Sequence, residues 1–479
     1  MVVPLIACLT APAALAEDAS AGPHRSSAER LGMGKPVARV VELPYDGAGQ
    51  AKDAAQPGPK QAPASPETTR RRSLEAAQSR GSHSYVDTSK VPLDGHGRVD
   101  KRALRSDTPP TGWGSQPPAE AKECLDRPAA ESMAGETYSR WIWCQKHQMG
   151  VVYAWVDGDG RAHDLGTAAM KLHTVTVGNG QARGVRTYIQ VQSVTYDPEF
   201  SLDPEIAVRI MQWEQEVSKL KSYILAECVQ TSTYCQSSPG AVEHSWKEWD
   251  SRPTQEWLFW DTHSREEASS ADDKVLFHQW HLRIGGSGGA YTYRPGVSAD
   301  RTIRCDSATY FSLFGVPYNK ACINYDVVPH LQYKISDSRV TSVARHIRHA
   351  QNDPGNTYPA IGYKVIPGKY TGKWDNLGLT RVLGGSATHQ NNVAEKDRAC
   401  KRLPPYETNG LPEAPKPGED CDEYPFATTE QGAASPYWDF SVRAVPSSEN
   451  QSAGGLLGWY YFRDRILTAQ DPFWVDIQD

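Results

Sequence analysis

Two acids sit side by side in Cys421-Asp422-Glu423-Tyr424-Pro425-Phe426-Ala427-Thr428-Thr429, between a cysteine and a short aromatic run, and a segment carrying Arg443 and Asn450 follows. A carboxylate able to take a proton from water and an amide oxygen able to hold a hard cation are what phosphodiester hydrolysis asks of side chains. Each piece alone is weak. Adjacent Asp-Glu pairs usually mark a solvated turn, and an Asn near a helix start is usually a plain cap. His389, in Thr388-His389-Gln390-Asn391, reads as a surface loop histidine.

The elements that must hold these groups are legible around them. Cys421-Asp422 opens a strand, and Phe440–Pro446 alternates apolar and polar residues as a second strand does. Ser447 or Ser448 then caps a helix through Asn450 and Leu456-Leu457 to Ile466-Leu467, with Gln451 placed as in a capping box. Phe473–Ile477 reads as a closing strand. Upstream, Val340–Ala350 has a helical pattern, Asn352–Asn356 is a turn cluster, and Leu379–Val382 is a strand. A polar stretch then runs to Arg398–Arg402. Strand, strand, helix is an order in which the first strand presents a base and the helix start presents an amide; free N–H groups there favour phosphate.

On these features residues 339–479 resemble the secreted bacterial NucA/NucB deoxyribonucleases. The family core reads Asp-Glu-Trp/Tyr-Pro, then Glu-Gly-Gly, then an Asn-Arg or Asn-Gln pair ahead of a helix. Here stand Asp422-Glu423-Tyr424-Pro425, Gly432 and Asn450-Gln451, with the helix of His346-Ile347 and Ala350-Gln351 and the Leu379-Thr380 strand before them. The resemblance implies an α+β nuclease domain of ββα-metal type, with Asp422 as general base, Glu423 beside it and Asn450 as a metal ligand. The family glutamate falls on Gln431, a departure that weakens metal binding; Glu430 replaces it only if the backbone shifts. The implied cofactor is a divalent ion, Mg²⁺ or Mn²⁺. Arg443 and Arg463, with Lys401 and Arg402 near Cys400 and Cys421, are candidates to stabilise phosphate charge. No base-reading element is visible, so cleavage is expected to ignore sequence.

A chain of 479 residues suggests two or three units, and a net charge of −6 means any attraction to a polyanion is local. Val2–Ala16 is a short apolar stretch ending in Ala14-Leu15-Ala16, as in a secretory leader. The rival, less favoured reading is a lipoprotein box at Leu5-Ile6-Ala7-Cys8. No later apolar run spans a bilayer. Of nine cysteines, eight lie beyond the leader, and an even count in an exported chain points to disulfides. Sequence order suggests Cys124–Cys144, Cys228–Cys235, Cys305–Cys322 and Cys400–Cys421, although sequence leaves the connectivity open. The absence of CxxC or HxxxH spacing argues against zinc.

The expected organisation is therefore a signal peptide over 1–16, a disordered Ala/Pro/Ser/Gly/Arg-rich segment over 17–120, a mostly β, disulfide-containing domain of unknown role over 121–335, and the nuclease domain over 336–479. Arg70-Arg71-Arg72 reads as a solvated basic patch or a processing site. In the β domain, Trp141–Cys144, Gly150–Val156, His173–Val177, Thr187–Val194 and Lys274–Ile284 read as strands. Ile206, Ile210, Trp213, Val217, Leu220 and Ile224 read as one amphipathic helix after Asp203-Pro204. Asp157-Gly158-Asp159-Gly160 lacks the remaining ligands of a calcium loop and is a turn. Gly285–Gly289 lacks the Lys-Ser/Thr of a phosphate loop. The leading expectation is a secreted, metal-dependent deoxyribonuclease acting on DNA, with RNA left open. The alternatives are an exported protein of weakened activity that contacts cell wall or carbohydrate through its β domain, and a nuclease toxin with an N-terminal delivery module.

Overall fold

The computed structural model describes residues 36–46, 51–80, 83–100, 109–251 and 256–479. The expected leader, with Cys8, lies outside the described residues, as do residues 17–35. The described part of the segment expected to be disordered is built into the fold. Pro36–Leu43 (β1) pairs antiparallel with Ile142–Val156 (β2), from Pro36 opposite Trp155 to Leu43 opposite Gln148. Pro66–Arg80 (α1) buries Leu74 and Ala77, and the Ser73 hydroxyl donates to Asp326 at 2.6 Å. His83–Asp87 lies parallel to Val328–Lys334. Composition misleads because these segments are ordered by contacts with distant elements, β1 by pairing and by Ala38 and Val40 in the core, α1 by Leu74 and Ala77. The three arginines at 70–72 sit on α1, not in an extended segment.

Ala162–Gly178 (β3) and Gly184–Pro198 (β4) continue from β2 in a nine-stranded sheet. Lys221–Cys228 (β5), Leu276–Ser287 (β6), Arg301–Asp306 (β7) and Ala321–Asn324 (β8) run in that order in a six-stranded sheet. Met149, Val151, Tyr153 and Ile189 of the first sheet and Ile224, Trp280, Leu282 and Ile303 of the second belong to one apolar cluster. Pro204–Glu216 (α2) is capped by Asp203, which accepts from the N–H groups of Glu205 and Ile206 at 2.8 and 3.2 Å. The helix is shorter than its periodicity implied, since Ile224 lies in β5. Alternate burial along a strand overlaps a helical spacing over so few residues. Asp157 uses one oxygen on the N–H groups of Asp159 and Arg161 and the other on His163, a plain turn. All four cysteine pairs form as expected.

The C-terminal elements are Val328–Lys334 (β9), Thr341–Asn352 (α3), Ala387–Lys401 (α4), Glu419–Tyr424 (β10), Ser441–Pro446 (β11), Ser447–Arg463 (α5) and Pro472–Gln478 (β12). A four-stranded sheet runs Leu379–Thr380, β12, β9, His83–Asp87, so a boundary at 335/336 cuts through it. One apolar cluster likewise joins Trp141, Phe277 and Ile323 to Leu331, Ile347, Leu456 and Phe473. The polar stretch before Cys400, to which the sequence assigned no element, is the helix α4, with Ser386 accepting from the His389 N–H; His389 is therefore on its first turn and not in a loop. The expected serine cap of α5 is absent. Ser447 donates instead to Asp420 at 2.7 Å, and α5 ends at Arg463, ahead of Ile466-Leu467.

The join between the units is ionic as well as apolar. Arg304 of β7, fully buried, bonds to Asp471, to Asp306 at 3.1 Å and to the carbonyl of Arg465 at 3.0 Å. Arg465 reaches Asp306 at 2.6 Å, and the Trp141 indole donates to the carbonyl of Arg463 at 2.7 Å. Among the described residues no helix is long and apolar enough to cross a membrane.

Candidate active site

β10 and β11 form an antiparallel pair in which Asp420 faces Val445, Asp422 faces Arg443 and Tyr424 faces Ser441. Side chains alternate across a strand. Asp420, Asp422, Tyr424 and Arg443 therefore share one face, and Cys421, Glu423, Val442 and Ala444 share the other. The adjacent acids of the sequence look in opposite directions.

On the first face Asp422 meets α3. Its Oδ2 lies 2.6 Å from His346 Nδ1, and His346 Nε2 lies 2.8 Å from the Ser441 hydroxyl. The His346 side chain is 1% exposed and that of Asp422 is 9% exposed, so the carboxylate keeps a narrow window to solvent. One turn further along α3, Gln351 donates to the Tyr424 hydroxyl at 2.9 Å. Asp420 accepts from Ser447 and, at 3.5 Å, from the Asn450 amide, which brings an anionic and a neutral oxygen donor together at the start of α5. Arg443, partly buried, forms no ion pair among the described residues. Glu449 ties the first turn of α5 to the Ser342 hydroxyl at 3.1 Å.

On the second face Glu423 meets α4. Its Oε1 accepts from the Ala427 N–H at 3.2 Å. Burial pushes its carboxyl up to about 7, against the pull of Lys396. Burial opposes the charge of Lys396, but Glu423 and Asp397 hold it above its ordinary value. Asn392, 1% exposed, donates to the carbonyls of Ala427 and Thr429 at 2.9 and 2.8 Å and accepts from the Ala434 N–H at 2.9 Å. It thereby fixes the loop between the two strands. A Cβ at Gly432 would come within 2.5 Å of the Asn392 amide carbon, and that amide, bonded three ways, has nowhere to move.

Residues 377–475 match the family model of deoxyribonuclease NucA/NucB. The C-terminal region carries a NucA/NucB domain. No curated protein and no solved structure matches the chain. The NucA/NucB match begins after α3, so His346 and Gln351, which touch Asp422 and Tyr424, come from outside the matched interval.

The remaining candidates of the NucA/NucB reading divide by position. Asp422, Arg443 and Asn450 converge. Gln431 is engaged elsewhere, its amide oxygen accepting from the Thr380 N–H at 2.8 Å, where it holds a strand in place. Glu430 is exposed beside it, its carboxyl raised by burial of part of the group, and its N–H bonds Thr380. Arg463 ends α5, thirteen residues from Asn450 and so roughly 20 Å along the axis. It does not share their site. Lys401, bonded to Asp397 at 3.0 Å, and Arg402, bonded to the carbonyl of Glu407, sit at the end of α4 beside the Cys400–Cys421 disulfide, near the Glu423 face. Among the described residues the one trio of His, Cys, Asp or Glu groups close enough for a metal is Cys228, Cys235 and His278, where the two cysteines are bonded to each other. Asp420, Lys396 and Asn392 carried no flag in the sequence. For Asp420 the signal was present: acids two apart on a strand share a face.

Proposed function

We propose that this chain is an exported, metal-dependent endonuclease that hydrolyses DNA without regard to base sequence. The observation that carries the reading is the Asp422–His346 pair on the hairpin of the NucA/NucB domain. The succession β10, β11, α5 supports a ββα-metal arrangement, and the four disulfides support an oxidising compartment.

In this mechanism Asp422 takes the proton of the attacking water. His346 is a positioning residue: bonded through Nδ1, it fixes which carboxylate oxygen stays open, and Ser441 fixes the ring in turn. The donor set suits a hard cation through Asp420 and Asn450, and does not extend to Gln431, whose oxygen already accepts from Thr380. A divalent ion held there would supply positive charge to the phosphate and the leaving oxygen. Arg443, beside Asp422 on the same face, stabilises phosphate charge. A second reading, an exported protein of weakened nuclease activity, is favoured only by the structural use of Gln431. Carbohydrate binding through the β unit has less support, since Trp141, Trp213, Trp246, Trp249 and Trp280 are core residues and offer no ring to a sugar.

The test is degradation of plasmid DNA by the full chain with and without EDTA, beside Asp422→Ala. Loss of a general base is expected to cost at least ~10²-fold with circular dichroism unchanged. A folded Asp422→Ala protein that cuts at near the parental rate ends the assignment.

A further inference from the structure

Tyr363 and Tyr437 are 82% and 85% exposed, although tyrosine normally buries most of its ring. Single exposed rings are ordinary, but these stand on two loops that are tied to each other and to the catalytic hairpin. The Val365 N–H donates to the Asp439 carboxylate at 2.7 Å, and the Asp439 N–H donates to the Val365 carbonyl at 3.1 Å. The Val442 N–H donates to the carbonyl of Tyr358 at 2.7 Å, so the first loop lies alongside β11 as a further strand would. Tyr358 and Ile361 on that loop are themselves more than a third exposed.

The loop is rigid for a stated reason. Lys364 turns inward, 4% exposed, and donates to the Thr357 hydroxyl at 2.8 Å and the Pro359 carbonyl at 3.0 Å. The Ala360 N–H is held by the carbonyl of Asn409 at 2.7 Å. An inward lysine beneath an outward tyrosine presents the ring without leaving the loop free to fold it away.

The geometry points to Tyr363 and Tyr437 as a stacking platform for unpaired bases of the DNA substrate, so that the site prefers single-stranded or locally melted DNA. The inference rests on the reading above that DNA is the substrate. Strands lie about 4.8 Å apart, so Tyr358, which bridges Val442 of β11, lies roughly 10 Å from β10, the strand that carries Asp422, and Tyr363 follows five residues along the same loop. That is one to two nucleotides along an extended strand. Stacking needs a π-face and no particular base, in keeping with cleavage that ignores sequence. Neither tyrosine lies on an element that touches Asp422, so their removal leaves the chemical groups in place.

The experiment uses the full chain carrying Asp422→Ala, with fluorescein-labelled oligo(dT) and a blunt duplex of the same length, read by anisotropy. Tyr363→Ala with Tyr437→Ala is expected to weaken single-strand binding at least ~25-fold, about fivefold per ring, while duplex binding changes less than about twofold and the Tyr→Phe pair retains affinity. Unchanged single-strand affinity, an equal loss on the duplex, or a Phe pair as weak as the Ala pair each overturns the platform. With Asp422 intact, a chain that cuts plasmid DNA while the Ala pair binds oligo(dT) normally loses this inference alone; a chain that binds through the rings and cuts nothing loses the nuclease reading alone.

Discussion

Replacing Arg304 with methionine should show how firmly the nuclease region depends on the β unit. The guanidinium is fully buried and serves Asp306, Asp471 and the Arg465 carbonyl. Without it Asp306 keeps Arg465 at 2.6 Å, but Asp471 keeps only the weaker pull of Arg140, at 3.9 Å, and of the more distant Arg70. Removing one partner of a buried pair costs about 3–5 kcal/mol, against a total stability of about 5–15 kcal/mol for an ordinary domain. Guanidinium unfolding followed by tryptophan fluorescence reads the loss, with Trp141, Trp459 and Trp474 buried in the regions that must separate. A second variant, Arg304→Met with Asp471→Leu, removes both charges and should recover most of the loss, since apolar replacement of a buried pair is often near neutral. Burial alone would raise the carboxyls of Asp306 and Asp471, but the arginines outweigh it and hold both low. Lowered carboxyls contribute stability that is complete above the unfolded value of ~3.9 and lost as pH falls through the folded values, so the gap between variant and parent narrows in acid. A cost below ~1 kcal/mol, the size of a surface pair, refutes the argument, as does a double variant as unstable as the single. By the same reasoning a fragment spanning 336–479 should not fold, because it lacks both Arg304 and Arg140.

Substituting Cys400 and Cys421 together by serine should destabilise the C-terminal unit by about 3 kcal/mol, the chain-entropy value for a loop of this length, while the other three disulfides persist on non-reducing peptide mapping. Glu423→Gln should change how stability depends on pH. The carboxyl is raised to about 7, so the folded state binds more protons than the unfolded one between roughly pH 4.3 and 7, and stability declines as pH rises through that window. The variant should lose that decline; a stability profile with the parental slope would show that Glu423 ionises normally. Gln431→Glu should leave the half-maximal Mg²⁺ or Mn²⁺ concentration unchanged, because the side chain holds Thr380; a shift to lower metal concentration would put this position among the ligands.

The sequence made some elements legible and hid others for physical reasons. β11 stood out because apolar and polar residues alternate along it, and β12 because Phe473, Trp474 and Val475 form a short apolar run buried on both faces. The disulfides followed sequence order because each closes a local loop, the longest separation being 21 residues. α4 was missed because its inward face is carried by Asn392, Lys396 and Cys400, which have no apolar period. β1 and His83–Asp87 were missed because their order comes from pairing with distant strands, and α1 because it is held by Leu74, Ala77 and the Ser73–Asp326 bond to distant elements; composition reports only what a segment buries alone. In the candidate site, Asp422 and Asn450 were singled out on the family motif, and their roles belong to the proposed function. His346 stood in the pattern without a role, since only the fold brings it against a residue 76 positions away.

The opposed faces of Asp422 and Glu423 have a consequence for mechanism. Two carboxylates that share a face can divide acid and base work between them, as environments that separate their proton affinities allow. Here the hairpin sends Asp422 toward α3 and α5, and Glu423 toward α4 and Lys396. Glu423 is thus a buried neighbour whose proton affinity is raised by burial and lowered by Lys396 of α4, on the face opposite Arg443. In the proposed hydrolysis Asp422 is the base and Asp420, on the same face, is a candidate cation ligand, while the His346 nitrogens face Asp422 and Ser441 and leave no histidine proton for the leaving oxygen. The charge on the departing oxygen has to be met by something else. A cation held by Asp420 and Asn450 would meet it without a proton, so the proposed activity should disappear in EDTA even though Asp422 and its partner remain in place.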